Sequence, residues 1–169
     1  MRYIIASALA ALSLGMAVPA EAQSRRGNEE VYRALTHADL QTLLAGQDYD
    51  EVKQPEPGIF NITVTDGFKM TVEQRLCDVE GQPPGCLGLS IMASWGYSPE
   101  QRPALEEFAN TFNGEYSIAK VIVYDDAIAI ERYVITDGGV TLEHIRRELS
   151  EFLSLSDVAV TQMIEVLGL

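Results

Sequence analysis

The sequence has few residues of the kinds that most often carry chemistry. It contains two cysteines and two histidines, and it lacks G-x-S-x-G, H-E-x-x-H, a P-loop and a G-x-G-x-x-G that opens a helix. These absences remove the patterns of α/β-hydrolases, zinc proteases and nucleotide-binding domains. Neither His37 nor His144 has a nearby Asp or Ser in a triad-like arrangement, so we expect both to face solvent. The sequence therefore predicts no catalytic residue, no cofactor and no metal.

Basic residues are also scarce. Twelve Lys and Arg residues stand against 25 Asp and Glu, which gives a formal net charge of −13 at pH 7. A chain this acidic repels DNA, RNA and anionic lipid headgroups. The charge thus argues against a nucleic-acid partner and does not identify another.

Long apolar runs are absent except at the N-terminus. Residues 3–18 carry no charge, Arg2 precedes them, and the triplet at 20–22 has small residues at its first and third positions. This pattern predicts a signal peptide over residues 1–22 that is cleaved before Gln23. The alternative is a retained membrane anchor, but the run is short for a span of about 20 residues. We expect a periplasmic or secreted protein with no membrane span after cleavage.

The two cysteines, Cys77 and Cys86, flank a loop rich in turn-forming residues. In an oxidising compartment, an even count and a short loop favour a disulfide. The alternatives are a metal-binding pair and a redox dithiol. A structural zinc site needs four ligands, and the two histidines lie far away in the sequence. Redox pairs usually have C-x-x-C spacing, so we expect a structural disulfide between Cys77 and Cys86.

Three amphipathic helices are predicted, each beginning at a residue that can accept a hydrogen bond from the first helical turn. These N-cap residues are Thr36, Ser98 and Thr141. The first helix ends at Gly46 and the second at residues 113–114, so helix termination explains Asn113. The third helix is followed by a continuation with its own N-cap, which is either Ser154 or Ser156.

Alternating apolar and polar residues predict strands between the helices. Five strands are predicted, over residues 60–64, 68–73, 87–95, 117–124 and 127–135, and residues 49–53 are a candidate for a short strand before them. Asp66-Gly67 is typical of a two-residue hairpin turn. We predict an α+β domain over residues 35–169, with an antiparallel sheet of about five strands flanked by helices, in the order α-β-β-β-α-β-β-α. Residues 23–34 are predicted to be a flexible lead-in.

Several segments resemble the YbjN-domain family of bacterial sensory-transduction-regulator-like proteins. They span about residues 35–155 and are THADLQTLLAG, LCDVEGQPPGCLGLSIMASW, FANTFN, AKVIVYDDAIAIERYVI and DGGVTLEHIRRELSEF. The resemblance implies the fold of type III secretion chaperones, which commonly form dimers and bind partner polypeptides. It implies no catalytic signature. This chain differs from chaperone-like relatives in its predicted export.

Three residues are candidates for binding. Trp95 and Tyr97 end a predicted strand, where they either pack in the core and at the sheet edge or line a ligand groove. Asn110 lies one turn before the predicted end of the second helix, at a position that resembles one where the family often carries Asn. Helix termination does not account for it, so we retain it as a candidate.

Three functions remain open. The first is an exported, non-catalytic, chaperone-like or regulatory domain that binds a polypeptide partner or forms a homodimer. The second is a structural envelope protein that contributes to stress tolerance. The third is an enzyme such as a hydrolase, which would need a cleft that holds a His or paired carboxylates. The missing motifs and the resemblance favour the first.

Overall fold

The computed structural model describes residues 30–169. The predicted signal peptide, residues 1–22, lies outside the described residues. The helices within them are α1 (His37–Ala45), α2 (Arg102–Glu115) and α3 (Leu142–Leu167). The strands are β1 (Val31–Tyr32), β2 (Glu51–Glu56), β3 (Ile59–Thr63), β4 (Lys69–Cys77), β5 (Cys86–Gly96), β6 (Lys120–Val123), β7 (Ala127–Ile135) and β8 (Val140–Thr141). No helix in this range is long and apolar enough to cross a membrane.

Six of the strands form one antiparallel sheet in the order β2-β3-β4-β5-β7-β6. The α+β class with an antiparallel sheet and flanking helices is confirmed. The count of about five strands is low by one, because four strands and not three separate α1 from α2. The additional strand is β2, which begins two residues after the start of the candidate strand 49–53 and pairs with β3.

One face of the sheet, here called the helix face, packs against all three helices. Successive strand residues point to opposite faces, so apolar residues at every second position build this side of the core. The strands contribute Phe60, Ile62, Val72, Leu89, Ile91 and Ile130 to one buried cluster. The helices contribute Leu40, Leu43, Leu105, Phe112, Leu149 and Phe152 to the same cluster.

A salt bridge interrupts this apolar packing where α3 crosses β7. The side chains of Arg132 on β7 and Glu148 on α3 are 12% and 16% exposed and form a salt bridge. Arg132 Nη1 also donates a hydrogen bond to the Ile118 carbonyl at 2.8 Å. Because both charged groups are largely removed from water, loss of either one would leave the other charge buried without its partner.

The β3–β4 hairpin is confirmed, but its turn is longer than the predicted two residues. Thr63 pairs with Lys69, and the Val64 N–H donates to the Phe68 carbonyl at 2.9 Å. Asp66 and Gly67 both have left-handed backbone angles, with φ of 70° and 79°. The D-G pair therefore supplies the expected backbone geometry inside a wider turn.

Helix α3 runs without a break, so the prediction of a separately capped continuation is wrong. Ser154 Oγ donates to the Ser150 carbonyl at 3.0 Å, and Ser156 Oγ donates to the Phe152 carbonyl at 2.8 Å. Both hydroxyls bond backward within the helix, as Ser does in a helix interior, and neither begins a new one.

The predicted flexible lead-in, residues 23–34, is too long at its C-terminal end. Strand β1 pairs with β8 next to the start of α3, and Ala34 is buried. Leu35 and Cys86 exchange two backbone hydrogen bonds of 2.9 Å each. These pairings are long-range, so local composition did not reveal them. Residues 23–29 lie outside the described part of the chain.

Candidate interaction surface

The second face of the six-stranded sheet, here called the open face, is lined by the strand residues that point away from the helices. Strand register aligns one residue from each strand in a row that crosses the whole sheet. In spatial order this row is Lys53, Asn61, Thr71, Met92, Glu131 and Lys120. The row is mixed in charge and only partly buried, unlike the apolar rows of the helix face.

All three lysines of the chain lie on the open face. Lys53 and Lys120 occupy the two edge strands at the ends of the row, and Lys69 pairs with Thr63 in the neighbouring row. Lys53 Nζ lies 2.9 Å from Glu51 Oε2. Between residues 30 and 169, neither Lys69 nor Lys120 forms a salt bridge. The open face thus holds all three lysines together with the carboxylates of Glu51, Glu73 and Glu131.

Exposed apolar groups lie on the same face, near its Lys120 end. Tyr133 and Ile135 project from β7 with 47% and 66% of their surface exposed. The Tyr133 hydroxyl lies so close over Gly88 that a Cβ there would collide with it. Ser90 is buried beside them and donates a 2.7 Å hydrogen bond to Glu131 Oε1. Exposed aromatic and aliphatic groups next to charges are typical of surfaces that bind other proteins.

Two of the predicted binding residues, Trp95 and Tyr97, do not lie on the open face. Trp95 packs tilted against Phe68, with 6.0 Å between ring centroids, and borders the core beside Phe108 and Met163. The Tyr97 hydroxyl donates to the Tyr124 carbonyl near the turn before β7. Both contacts fit the packing interpretation, and a binding role for either residue stays a prediction.

The third candidate, Asn110, is exposed on α2 and lies in a shallow groove between α2 and β6, together with Glu106 and Lys120. Its side chain is accessible from the β6 end of the sheet. Its role in binding stays a prediction.

Asn113 has a structural role that the sequence did not reveal. The prediction that it ends α2 is wrong, because the helix continues to Glu115. Asn113 Nδ2 donates to the Val121 carbonyl at 2.9 Å, and Asn113 Oδ1 accepts the Val121 N–H at 2.7 Å. Its amide takes the place that the next strand of the sheet would occupy on β6. Eight residues separate the two partners, and no local pattern signals such a contact.

Replacing Asn113 with Ala is expected to lower the free energy of unfolding by about 1–2 kcal/mol, since two hydrogen bonds to the edge strand are lost. Urea denaturation checks this. The matched control is Asn110→Ala on the same helix, for which we expect a change within about 0.5 kcal/mol. Equal effects of the two substitutions would contradict the assigned role.

The predicted disulfide is present between Cys77 and Cys86, which are cross-strand partners at the ends of β4 and β5 with Cα atoms 3.8 Å apart. Leu76 and Asp78, on either side of Cys77, have left-handed φ angles of 53° and 51°. The backbone therefore turns sharply around Cys77 as the strand enters the loop. The bond closes that loop at the same end of the sheet where Leu35 pairs with Cys86.

The two histidines have separate surroundings. Gln74 Nε2 donates to the Leu35 carbonyl at 2.8 Å, which leaves Gln74 Oε1 to accept from His37 Nδ1. His37 is exposed, as expected, and its ring is hydrogen-bonded on one side to the buried Gln74 side chain. His144 is exposed on α3, with Nε2 3.5 Å from Glu148 Oε1. Within the described chain, no three His, Cys, Asp or Glu side chains converge as metal ligands.

Two shifted pKa values also have structural causes. Burial raises the pKa of Tyr49, which packs against the core. A hydrogen bond from its own backbone N–H, followed by one from Ser98, lowers the pKa of Glu100 at the start of the segment leading into α2. These shifts arise from packing and from a helix start, and neither group belongs to the open face.

Comparison with known proteins assigns the chain to a family. Residues 28–165 match the sequence model of YbjN, described as "Putative bacterial sensory transduction regulator". The chain belongs to the YbjN family. The match begins seven residues before the predicted domain start at Leu35, in agreement with the ordered β1 strand. No curated protein matches the chain.

Two solved structures share the YbjN fold seen here. YbjN from E. coli, described as "a putative transcription regulator", has a TM-score of 0.54 and 15% identity, over 80% of this chain and 92% of its own. An uncharacterized protein from Methanothermobacter thermautotrophicus has a TM-score of 0.53 and 10% identity, over 78% and 98%. At these identities the likeness shows the fold alone.

Proposed function

We propose that this YbjN-family protein is an exported, non-catalytic binding domain that engages an acidic polypeptide segment through its open face. The observation that carries the proposal is that all three lysines lie on one face of the sheet, which also exposes Tyr133 and Ile135 near its Lys120 end. The family description as a regulator supports a binding role over a catalytic one.

Charge and dimensions favour an extended peptide as the occupant. Lys53 and Lys120 lie at opposite ends of a six-strand row, and five inter-strand steps of about 4.8 Å separate them by roughly 24 Å. About seven residues of extended chain cover that distance. Carboxylates near both ends of such a segment would pair with the two lysines, while Met92 contacts its middle. Charges more than about 8 Å away are screened at physiological salt, so the acidic groups that matter are those on the open face itself. Glu51 beside Lys53 and Glu131 opposite Lys120 are the carboxylates that the segment would displace or share.

A charge-reversal pair tests this surface in intact cells. A photo-crosslinking amino acid at position 92 reports what lies over the centre of the row. We expect Lys69→Glu/Lys120→Glu to reduce the crosslinked product about tenfold, which corresponds to about 1.4 kcal/mol of binding free energy. The matched control, Arg146→Glu/Arg147→Glu, makes the same charge change on α3 and leaves the product unchanged. No product at position 92, or an equal loss in both variants, would overturn the proposal.

Export is a separate part of the proposal, and it rests on the sequence of residues 1–22. We expect the mature protein to be recovered from the cell envelope or the medium with Gln23 as its first residue. Mass spectrometry of the purified native protein measures this N-terminus. A chain that retains Met1 in the cytoplasmic fraction would contradict export and leave the binding surface to be tested independently.

A further inference from the structure

The two edge strands of the six-stranded sheet, β6 and β2, differ in how far their outward-facing backbone groups are already bonded. On β6, the Asn113 side chain occupies both backbone hydrogen-bonding groups of Val121. On β2, each residue from Glu51 to Glu56 is exposed, and the strand is bonded to β3 alone within residues 30–169. An exposed edge strand presents unpaired N–H and C=O groups that another strand can join.

We propose that β2 pairs antiparallel with β2 of a second copy of this chain, around a two-fold axis at Val52. A two-fold axis perpendicular to the sheet leaves the open faces of both copies on the same side. Residues directly opposite each other on paired strands point to the same face, whereas successive residues of one strand point to opposite faces. The axis must therefore pass between a residue and the same residue of the second copy. Pairing at Val52 places Glu51 opposite Lys53 of the partner subunit, and Lys53 opposite the partner's Glu51.

The charges of the segment Glu-Val-Lys select this register over its neighbours. An axis at Glu51 would set that carboxylate against its own copy, and an axis at Lys53 would set two ammonium groups against each other. Like charges directly opposite on paired strands are destabilising, whereas opposite charges contribute roughly 0.2–1 kcal/mol per pair. Only the axis at Val52 gives two favourable pairs at once.

The remainder of β2 limits the pairing to a short segment. Pairing with β3 shifts register between Lys53 and Glu56. Pro55 between them has no N–H to donate. The paired segment therefore centres on residues 51–53. An interface this small belongs to the weak class, so we expect micromolar self-association. The proposal does not depend on the proposed function, although pairing would join the two open faces into one continuous surface.

Charge reversal with a compensating swap tests the register. We expect the wild-type protein to sediment as a dimer at about 100 µM, a concentration at which a complex with micromolar Kd is largely formed. Glu51→Lys alone and Lys53→Glu alone each place like charges across the axis and weaken the dimer about tenfold or more. The double variant E51K/K53E again opposes unlike charges and restores it. Circular dichroism confirms that all variants fold.

Engineered cysteines give an independent readout. Val52→Cys lies opposite its own copy and is expected to form an intermolecular disulfide under mild oxidation. Gln54→Cys lies four positions from its own copy in this register, roughly 13 Å along the strand, and is not expected to crosslink. A monomeric wild type, a swap that stays monomeric, or equal crosslinking at both positions would overturn the proposal. A monomer that still gives the position-92 product would leave the proposed function standing.

Discussion

Replacing Phe112 with Ala is expected to lower the free energy of unfolding by about 3–5 kcal/mol. Phe112 is fully buried between α2 and the helix face, with ring centroids 5.7 Å from Phe108 and 4.6 Å from Tyr116. Removing its ring loses the transfer free energy of the buried surface and leaves a cavity that the packed neighbours fill only in part. Because a typical domain is stable by about 5–15 kcal/mol, this single change removes a large share of the total.

Urea denaturation of purified protein measures the effect. The control is Glu107→Ala on the exposed side of the same helix, for which we expect a change within about 0.5 kcal/mol. Should the Ala variant be too unstable to purify, Phe112→Leu retains most of the volume, and we expect a loss of about 1–1.5 kcal/mol. A loss below about 1 kcal/mol for Phe112→Ala would show that α2 does not pack as described.

Removing the disulfide is expected to lower the free energy of unfolding by about 2–3 kcal/mol, which is the value that the chain-entropy model gives for so small a loop. The double variant Cys77→Ala/Cys86→Ala measures this, with wild-type protein under reductant as its matched control. We expect the backbone around Leu35 to lose stability as well, because Leu35 exchanges two backbone hydrogen bonds with Cys86. Hydrogen exchange at the Leu35 amide reports on that extension.

Alkylation without reductant provides the direct check of the bond. We expect mass spectrometry of the unfolded, alkylated protein to show both thiols blocked. Two alkylated cysteines would show that the bond is absent. Equal urea midpoints with and without reductant would show instead that the bond forms but contributes nothing to stability.

Local signals in the sequence predicted the helices and hairpins well, because their causes lie within a few residues. The Thr36 side chain and Asp39 form the predicted capping box at α1, and Ser98 and Gln101 form the one before α2. The hairpin around Asp66 forms because this residue and the following Gly adopt left-handed backbone angles. Such features depend on neighbours in the chain, so a single sequence contains them.

Features made by distant residues were missed. The pairing of β1 with β8 joins segments more than one hundred residues apart. Asn113 was assigned to helix termination because its partner, Val121, is identified only once α2 lies against β6. Ser156 satisfies its hydroxyl within α3 and so does not cap a new helix. In the first two cases tertiary contacts overrode the local preference of the residue. The Ser156 hydroxyl instead bonds a carbonyl four residues earlier in its own helix.

The open face was within reach of sequence reasoning. Lys69 occupies a polar position in an alternating strand, and period-two alternation alone assigns such a position to the outer face. Lys120 precedes three apolar residues, so its face follows only from its pairing with Glu131. The order of strands in the sheet was the missing information, because it decides that the lysines share one row or lie next to it. Asn110, chosen for its resemblance to family members, lies beside Lys120 but at the rim of this surface.

The Asn113 amide on β6 has a consequence for growth by strand addition. A sheet with two bare edges can add copies at both ends without limit, which is the route to fibres. In the proposed dimer each β2 edge is used once, and the outer edge left on each copy is β6, where the Asn113 amide already bonds both backbone groups of Val121. If copies pair through β2 as proposed, substituting this one Asn would leave a second edge free, and growth through β6 would no longer be blocked at Val121.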